Sequence, residues 1–319
     1  MGNFGLILYD SSDAIKNKWF IEKMQEECAQ FDTTLKLIFC DYINDAYKLD
    51  MGSFIEKLIL KKQRPDFVLN RSRSSAIAYH LEKLGIRVLN PANVTDICND
   101  KDTTYQFVNK LGIEHLPYIV IDKSEYSPLC APKNGVSITS YKEYENIIKK
   151  AEAFGYPFIL KPSDGHGGKH VFLINNDSEL KAAIKAIFST YEKNPYRKLL
   201  IQKVADTIGR DLRVYILNNE IEMGMMRVSS SDDEIRANFS LGGIASRHSV
   251  DSAEYEIIKK ITAAMPSDYI GIDFLYNNGR PVFNEIEDAV GARMVYANTD
   301  TDILKKYAEH IKNVIEKLR

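Results

Sequence analysis

The glycine-rich stretch KPSDGHGGKHVFLI, Lys161–Ile174, contains residue types that can hold phosphate or metal. Glycines let backbone amides approach phosphate oxygens, and a lysine at a strand end adds positive charge. A Walker A loop is excluded because His170, rather than Ser or Thr, follows Lys169 and the next segment is strand-like. His170 also stands where the third glycine of a dinucleotide fingerprint belongs. The pattern predicts a glycine hairpin between antiparallel strands, which is either a lid over phosphates or a turn without a ligand.

The two histidines of this stretch, His166 and His170, are four residues apart. This spacing brings two metal ligands together on a helix, and the intervening Gly167 and Gly168 disfavour a helix. The sequence therefore argues against a zinc site, and the loop's own residues assign no role to His166.

A second predicted hairpin, IGIDFLYNNGRPVFNEIED, carries three carboxylates. Glu285 and Glu287 share a face because they are two residues apart on one strand. A two-residue turn would pair Asp273 with Asn284 and point it away from both glutamates, whereas a three-residue turn makes Glu285 its diagonal neighbour. Asn-Asn-Gly favours the three-residue form. Carboxylates crowded on one face would repel without a hard cation such as Mg²⁺, so the hairpin is a metal site or an exposed acidic face.

Basic residues fall on neighbouring strands. RDLRVYI places Asp211 and Arg213 on a common face, and MMRV adds Arg227 from the partner strand. Together with Lys161 and a carboxylate-bound Mg²⁺, these arginines would supply the charge neutralisation that a triphosphate or an acyl phosphate needs.

The apolar pattern before Pro91 predicts a small α/β domain. Strand-like runs FGLILY, LKLIF, DFVLN and IRVLN alternate with helical runs at Ala14–Gln30, Phe54–Lys62 and Ser74–Gly85. Strands separated by helices need crossover connections, which predicts a mostly parallel open sheet.

Beyond Pro91 the pattern changes to antiparallel strands with short turns. A helix begins at Asn99 or Asp100 and ends at Gly112, and Asp122–Ser140 reads as an irregular insertion because of its prolines and glycine. Asn218-Asn219 and Asn277-Asn278-Gly279 predict hairpin turns. Further helices are predicted at Tyr141–Phe154, Leu180–Tyr191 and Asp302–Leu318.

Composition limits the class of protein. With 45% hydrophobic and 27% charged residues and a net charge of -2, the chain is expected to be globular, with no bulk attraction to nucleic acid or an anionic membrane. The four cysteines form no CxxC pair and fit a reducing compartment. No segment approaches the roughly 20 apolar residues of a membrane span, so a cytoplasmic protein is expected.

The order of motifs resembles the ATP-grasp superfamily, specifically its RimK and glutathione synthetase branch of carboxylate-amine ligases. Seven segments between about Asn90 and Asn298 carry the resemblance, in family order: NDKDTTYQFVNKLGI, FILKPSDGHGGKHV, LLIQKVADTIGRDLRVYIL, MMRVSS, RANFSLGGIA, GIDFLY and FNEIEDAVG. It implies an α/β fold with α+β lobes that sandwich ATP. The implied domains are a pre-ATP-grasp domain at 1–92, an N-lobe with a glycine-rich lid at 93–192 and a C-lobe with the Mg²⁺ site at 193–319.

Carried over by position, the resemblance implies a nucleotide site. Lys101 and Lys161 would touch the phosphates of ATP, under a loop of Gly165, His166, Gly167 and Gly168. The strand whose backbone meets adenine would be Gln202, Lys203 and Val204, and Asp211 is grouped with these nucleotide-binding residues.

The resemblance also implies the metal and catalytic residues. Asp273, Glu285 and Glu287 would bind two Mg²⁺ ions, with Mn²⁺ as an alternative. Arg227, with Lys161 and Arg213, would steady the transferred phosphate and the developing oxyanion. Asn238 would lie near the acceptor loop.

Two departures from the family pattern bear on metal and substrate. Glu287 replaces the usual Asn, which makes the metal site more acidic, and Asp288–Arg293 replaces the usual Ser-Pro-Gly turn where substrate sits. Arg293, Arg71 and Arg73 are candidates for holding a substrate carboxylate, because a guanidinium binds that group through two hydrogen bonds. The alternative is that they are surface arginines.

The implied reaction is amide formation between a small-molecule or peptide carboxylate and an amine, through an acyl phosphate, with release of ADP and phosphate. A lid that excludes water protects such an intermediate. Alternatives are an ATP-grasp small-molecule kinase and a non-catalytic ATP-binding regulator. The sequence leaves a homo-oligomer open.

Overall fold

The computed structural model describes residues 2–41, 55, 63–122, 141–168, 170–190, 198–230 and 243–319. Its strands are β1 (Asn3–Tyr9), β2 (Thr33–Phe39), β3 (Phe67–Asn70), β4 (Arg87–Leu89), β5 (Tyr118–Asp122), β6 (Phe158–Pro162), β7 (Phe172–Ile174), β8 (Lys198–Lys203), β9 (Arg210–Leu217), β10 (Glu220–Val228), β11 (Ile244–His248), β12 (Tyr269–Asn277) and β13 (Arg280–Glu287). Its helices are α1 (Ser11–Lys16), α2 (Lys18–Ala29), α3 (Ser75–Lys83), α4 (Ala92–Cys98), α5 (Lys101–Lys110), α6 (Tyr141–Phe154), α7 (Asp177–Thr190), α8 (Ser252–Ala264), α9 (Arg293–Asn298) and α10 (Ile303–Leu318).

The N-terminal sheet is parallel throughout, in the order β2-β1-β3-β4. The helix α3 begins after Ser74, whose side chain accepts a hydrogen bond from the backbone of Ile77, and is followed by Gly85 with a φ of 71°. These are the N-cap and C-terminal glycine that the sequence predicts. The helix predicted at Phe54–Lys62 lies outside the described residues, except for Ile55.

The single helix predicted at Ala14–Gln30 is wrong. The chain forms two helices, α1 and α2, separated at Asn17, whose φ of -105° and ψ of 16° are not helical. The Asn17 side-chain amide donates to the carbonyl of Asp13 at 2.8 Å. Asparagine competes in this way for backbone groups that would otherwise serve a helix, a local effect that apolar periodicity does not reveal.

The middle sheet is antiparallel, in the order β5-β8-β6-β7, and the glycine loop joins β6 to β7 as predicted. The helix α5 begins at Lys101 after Asp100, which accepts a hydrogen bond from the backbone of Thr103 at 2.9 Å. Asp100, rather than Asn99, is therefore the N-cap. Apart from Asp122 at the end of β5, the insertion predicted at Asp122–Ser140 lies outside the described residues.

The C-terminal sheet is antiparallel, in the order β11-β10-β9-β12-β13, and its β12–β13 turn differs from the prediction. Asn277 pairs with Arg280, so the turn has two residues, Asn278 and Gly279, with φ of 52° and 70°. Asn-Gly readily adopts two positive φ values, which suits a type I′ turn.

A register shift between Asp273 and Phe274 then restores the predicted juxtaposition of carboxylates. Phe274 pairs with Phe283, whereas Asp273 pairs with Glu285, so Asn284 is the extra residue of a β-bulge. Asp273 is thus the direct cross-strand partner of Glu285. The three-residue turn was wrong, but the common face of the two carboxylates is confirmed.

An apolar core joins the N-terminal sheet to the C-terminal sheet. Ile7 and Leu69 belong to the same buried cluster as Tyr269, Tyr307 and Ile311. The helix α10 also contacts α2, so the C-terminal helix packs against the N-terminal region. The mixed α/β fold is confirmed, and the boundaries at 92 and 192 remain predictions. No helix within the described ranges is long and apolar enough to cross a membrane.

Candidate active site

A cleft of about 510 Å³ lies where the glycine loop, the C-terminal sheet and the first two helices face one another. The predicted site residues that line it are Arg73, Lys101, Lys161, Gly165, His166, Gly167, Gly168, Gln202, Asp211, Arg213, Arg227, Asp273, Glu285, Glu287 and Arg293. Residues far apart in sequence thus enclose one space large enough for a small-molecule ligand. We call the part between the glycine loop and the strands β9, β10, β12 and β13 the phosphate end.

Lys101 connects the glycine loop to the acidic hairpin. Its Nζ donates to the carbonyl of Gly165 at 2.6 Å and lies 3.2 Å from Oε1 of Glu285. Its backbone amide donates to the carbonyl of Ser163 at 2.9 Å, which fixes the start of α5 against the end of β6. The ammonium group is buried, so it can add positive charge where water does not screen it.

Lys161 lies at the end of β6 with only 7% of its surface exposed. Its Nζ donates to the hydroxyl of Tyr105 at 3.3 Å, and the side-chain amide of Gln202 donates to the same hydroxyl at 2.9 Å. Burial lowers the pKa of Lys161 to about 8, and the nearby negative charge of Glu285 opposes part of that shift.

Tyr105 is a residue that the sequence reasoning missed. It is buried and hydrogen-bonds both Lys161 and Gln202, so it positions two cleft residues from α5. The available signal was helical spacing, because Tyr105 lies four residues after Lys101 and therefore on the same helix face.

The glycine loop takes backbone conformations that favour glycine. Gly167 and Gly168 have φ of 65° and 71°, and His170 has a φ of 54°. The side chain of His166 is exposed at the loop. Nearby protein atoms nevertheless displace much of the water that would stabilise a charged imidazole, and this desolvation holds the pKa of His166 well below its usual value. The positive charges of Arg73 and Lys101 lower the pKa further. His166 is therefore neutral near pH 7.

A ladder of ion pairs crosses the strands beneath the loop. Arg227 pairs with Asp211 across β9 and β10 and donates to Oδ2 of Asp273 at 2.7 Å. Arg213 donates two hydrogen bonds to Asp273, at 2.8 and 2.7 Å, and contacts Glu287 at 2.7 Å. Burial by itself would lower the pKa of Arg213, because it disfavours the charged guanidinium. The negative charges of Asp273 and Glu287 outweigh this effect and hold the pKa of Arg213 well above its usual value.

The same arginines keep Asp273 ionised. Burial alone would raise its pKa, but the two guanidinium groups of Arg213 and Arg227 outweigh burial and lower the pKa of Asp273 to about 2. Removing either arginine would leave a buried carboxylate with less compensation.

The carboxylates of the acidic hairpin fit a hard divalent cation in donor type, and in register Asp273 opposes Glu285 while Glu287 follows on the same strand. Their charges are balanced by protein cations: Lys101 at Glu285, and both Arg213 and Arg73 at Glu287. Within the described residues, no three acidic, His or Cys side chains converge as a ready metal site. Binding a cation therefore requires at least one of these ion pairs to open.

Arg71 does not line the cleft, and its predicted substrate role is wrong. Its guanidinium donates to the Tyr9 hydroxyl and to the carbonyls of Ala289 and Val290, each at 2.9 Å, and lies 4.0 Å from the ring centroid of Phe20. Arg71 thus fixes the segment after β13 against the N-terminal sheet. The sequence placed it correctly before a helix but could not show that distant carbonyls use its donors.

Lys203 and Val204 also lie outside the cleft lining. Lys203 Nζ donates to the carbonyls of Phe154 and Gly155 at 2.8 and 3.1 Å, so it faces the end of α6, and its backbone amide donates to Pro117. A positive charge at a helix C-terminus is favourable. The position of Asn238 lies outside the described residues.

The cleft has a second part that the sequence reasoning largely missed, which we call the distal end. Its lining residues are Lys16, Asn17, Trp19, Phe20, Arg73, Ala292, Arg293 and Met294. Four of them come from the junction of α1 and α2, far from any motif used for prediction. The one signal was the presence of a single tryptophan in the chain.

Comparison with known proteins places this geometry in a family. The model of the RimK-like ATP-grasp domain matches residues 126–311. Uncharacterized protein MG011 homolog of Mycoplasma pneumoniae is 26% identical over 318 residues, which cover 98% of this chain and 95% of that protein. Glutamate--LysW ligase ArgX of Sulfurisphaera tokodaii is 27% identical over 250 residues, covering 78% of this chain and 80% of that protein.

A solved structure agrees in fold. D-alanine--D-Alanine ligase from Bacillus anthracis, complexed with ATP, has a TM-score of 0.68 at 16% identity, and the match covers 100% of this chain and 98% of that chain. The predicted fold and the predicted class, an ATP-dependent carboxylate-amine ligase, are confirmed at this level. The chain belongs to the RimK-like ATP-grasp family.

Proposed function

We propose that the cleft joins a carboxylate to an amine through an acyl phosphate, with ATP bound at the phosphate end. The observation that supports this most is the convergence of Lys101, Lys161, Arg213 and Arg227 with three carboxylates under one glycine loop. Phosphoryl transfer is catalysed mainly by positioning and charge neutralisation, and this convergence supplies both.

In the first step, a substrate carboxylate oxygen attacks the γ-phosphorus of ATP. The bond from that phosphorus to the bridging oxygen breaks, ADP leaves, and an acyl phosphate forms. Lys101 and Lys161 bind phosphate oxygens from the loop side, and Arg227 and Arg213, held in place by Asp211, Asp273 and Glu287, direct positive charge at the transferred group from the sheet side. Two walls of fixed positive charge then stabilise the negative charge that builds up in the transition state.

In the second step, the amine nitrogen attacks the acyl carbon, phosphate leaves, and the nitrogen loses a proton as the amide forms. Water competes with the amine for the acyl phosphate, so exclusion of water determines the yield of amide. The loop Gly165–Gly168 is the part of the cleft wall suited to closing, because its positive-φ glycines form no regular structure.

Asp273, Glu285 and Glu287 are the residues that would hold a metal ion. ATP-grasp ligases use ATP with divalent metal ions generally, and carboxylate oxygens without nitrogen or sulfur ligands favour Mg²⁺, with Mn²⁺ as an alternative. Such an ion would neutralise phosphate charge during transfer. Two ions, rather than one, remain part of the proposal.

The substrates are proposed to be small molecules or peptides that carry the carboxylate and the amine. ArgX is named as a ligase of glutamate with LysW, so a relative of this size uses an amino acid as one substrate. The predicted cytoplasmic location and a homo-oligomeric state stay predictions.

Two measurements test the proposal. Pairs of amino acids and small carboxylates are screened for ADP release, and hydroxylamine is added to trap the acyl phosphate as a hydroxamate. ADP release with hydroxamate formation is expected. Transfer of phosphate to a substrate hydroxyl with no hydroxamate would contradict the ligase and favour the kinase alternative.

The Glu285→Gln variant tests the carboxylate role. It removes one negative charge but little volume, so ADP release should fall by about 10²- to 10³-fold while the fold persists. Glu256→Gln, on the exposed face of α8, is the matched control and should retain wild-type turnover. Undiminished turnover in Glu285→Gln would reject the proposed metal ligand.

A further inference from the structure

The distal end brings three cations together. Lys16 comes from the end of α1, Arg73 from the loop before α3, and Arg293 from the start of α9. Lys16 and Arg73 both contact Asp13, at 2.8 and 2.9 Å, and Arg73 also approaches Glu287 at 3.8 Å. Two of the three cations thus already have carboxylate partners.

Arg293 differs from its neighbours. It is exposed and lines the cleft, and it forms no ion pair or hydrogen bond with any residue in the part of the chain that the structure describes. A guanidinium with its donors free binds a carboxylate through two parallel hydrogen bonds. Since Lys16 and Arg73 are already paired with Asp13 and Arg293 is not, the distal end has the positive charge to bind one ligand carboxylate rather than two.

The same end presents an apolar surface. Trp19 is 37% exposed, and its ring meets that of Tyr296 edge to face, with centroids 5.0 Å apart. Phe20, Ala292 and Met294 line the cleft beside it but are at most 4% exposed, so Trp19 supplies most of the accessible apolar area. An indole that faces an open cleft offers a large rigid contact area at little cost in conformational entropy.

Backbone strain is present at the same place. Arg73 has a φ of 60°, a left-handed conformation that an arginine rarely adopts and that costs about 1 kcal/mol or more. Its ion pairs with Asp13 and Glu287 hold the side chain at the boundary between the distal and phosphate ends. The positive charge of Arg73 is therefore balanced by Asp13 and Glu287, and Arg293 is the arginine of the distal end that is available to a ligand.

We propose that the distal end binds the amine substrate as a free amino acid with an apolar side chain, its carboxylate on Arg293 and its side chain on Trp19. The inference rests on the proposed ligase function, since it assigns one of the two substrates. Trp19 and Arg293 are then specificity-determining residues: Trp19 selects the apolar body, and Arg293 rejects amines that lack a carboxylate.

Because Trp19 is the chain's single tryptophan, its fluorescence reports binding at this place directly. The probes are leucine and phenylalanine, each as both enantiomers, with glutamate and isoamylamine for comparison, added to the full chain with a non-hydrolysable ATP analogue and Mg²⁺. Leucine or phenylalanine should give a saturable change in emission. Isoamylamine, which is leucine without its carboxylate, should bind at least about tenfold more weakly.

Variants test the two contacts separately. Arg293→Ala should raise the leucine or phenylalanine dissociation constant about tenfold or more, and Arg293→Lys should give an intermediate value because an ammonium lacks the two-pronged geometry. Arg247→Ala removes another exposed arginine, on β11 and away from the cleft, and should change nothing. Trp19→Ala, followed by calorimetry, should weaken the binding of both apolar amino acids.

Three results would overturn the inference: no saturable change with leucine or phenylalanine, tighter binding of glutamate than of either, or unchanged affinity in Arg293→Ala. The hydroxamate assay separates this failure from failure of the proposed function. Hydroxamate formation without a Trp19 response rejects the distal-end inference alone. A Trp19 response without any hydroxamate rejects the acyl phosphate while leaving the binding site in place.

Discussion

The two ends of the cleft are built in opposite ways. At the phosphate end, Arg227 and Asp273 are buried and the side chain of Arg213 is only 14% exposed, and each of the three is held by at least two ion-pair contacts on adjacent strands. At the distal end, Trp19 and Arg293 are exposed and come from helices, and Arg293 has no charged partner in the described ranges.

The difference in burial and pairing identifies the phosphate end as the preorganised part of the site. Buried, mutually paired charges keep a fixed geometry, which suits a phosphate chemistry that needs the same charge pattern at every turnover. Exposed side chains on helix ends can change without leaving a buried charge uncompensated, which would suit the substrate-selecting role proposed for the distal end. The family match, residues 126–311, includes the phosphate-end strands but not α1 or α2.

The largest expected effect is that of Arg227→Ala. The variant leaves Asp211 and Asp273 buried with less compensation, so the free energy of unfolding should fall by about 3–5 kcal/mol. Urea denaturation measures this, and Arg293→Ala at the distal end should change stability by less than about 0.5 kcal/mol. Equal losses of unfolding free energy in the two variants would contradict the proposed difference between the two ends of the cleft.

Next in size is the effect of Lys101→Ala on turnover. Lys101 contributes charge at the phosphate end but pairs with the partly exposed Glu285, so loss of catalysis should exceed loss of stability. The rate of ADP release should fall by about 10²- to 10³-fold. A turnover close to that of the wild type would show that Lys101 does not touch phosphate.

The protonation of Lys161 predicts how nucleotide affinity depends on pH. With a pKa of about 8 in the free protein, the ammonium is present below pH 8 and is lost as pH rises above it. Phosphate binds the charged form and raises its pKa, so affinity should be greatest below pH 8 and then fall by up to about tenfold per pH unit. Calorimetric titration with ATP at several pH values measures this.

Lys161→Arg provides the control for that pH dependence, because a guanidinium stays charged throughout the range. The decline in affinity between pH 8 and about pH 10 should largely disappear in this variant. If both proteins lose affinity equally, another group causes the decline.

The smallest expected effect is that of Lys203→Met. Lys203 donates to the carbonyls at the end of α6 rather than into the cleft, so the variant should lose about 1 kcal/mol of stability and keep its affinity for ATP. Thermal unfolding and ATP titration measure the two quantities. A large loss of ATP affinity would show that the side chain of Lys203 also contributes to the nucleotide site, beyond the backbone contact that the family resemblance implies.

Short-range patterns predicted much of the molecule. The parallel N-terminal sheet followed from alternating strands and helices, and the N-cap of α5 and the C-terminal glycine of α3 followed from local capping chemistry. The common face of Asp273 and Glu285 was also predicted, although the turn was assigned incorrectly. Two local errors, the length of the turn and the omitted bulge, compensated each other.

Predictions failed where a side chain meets atoms far away in sequence. Arg71 was taken for a substrate residue, yet its donors are used by carbonyls more than two hundred residues later. Most of the distal end escaped notice for the same reason: Arg73 and Arg293 were candidate substrate residues, but Lys16 and Trp19 share no motif or spacing with them.

Local sequence patterns account for most of the helices and strands, for the glycine loop and for the kinds of residue available for phosphate and metal. These depend on backbone preference and on periodicity along a single segment, which are local properties. Which cations are already paired within the protein follows from the tertiary structure alone. Pairing is set by distances between side chains from separate elements: Arg71 donates to Tyr9, Ala289 and Val290, whereas Arg293 pairs with no residue in the described ranges.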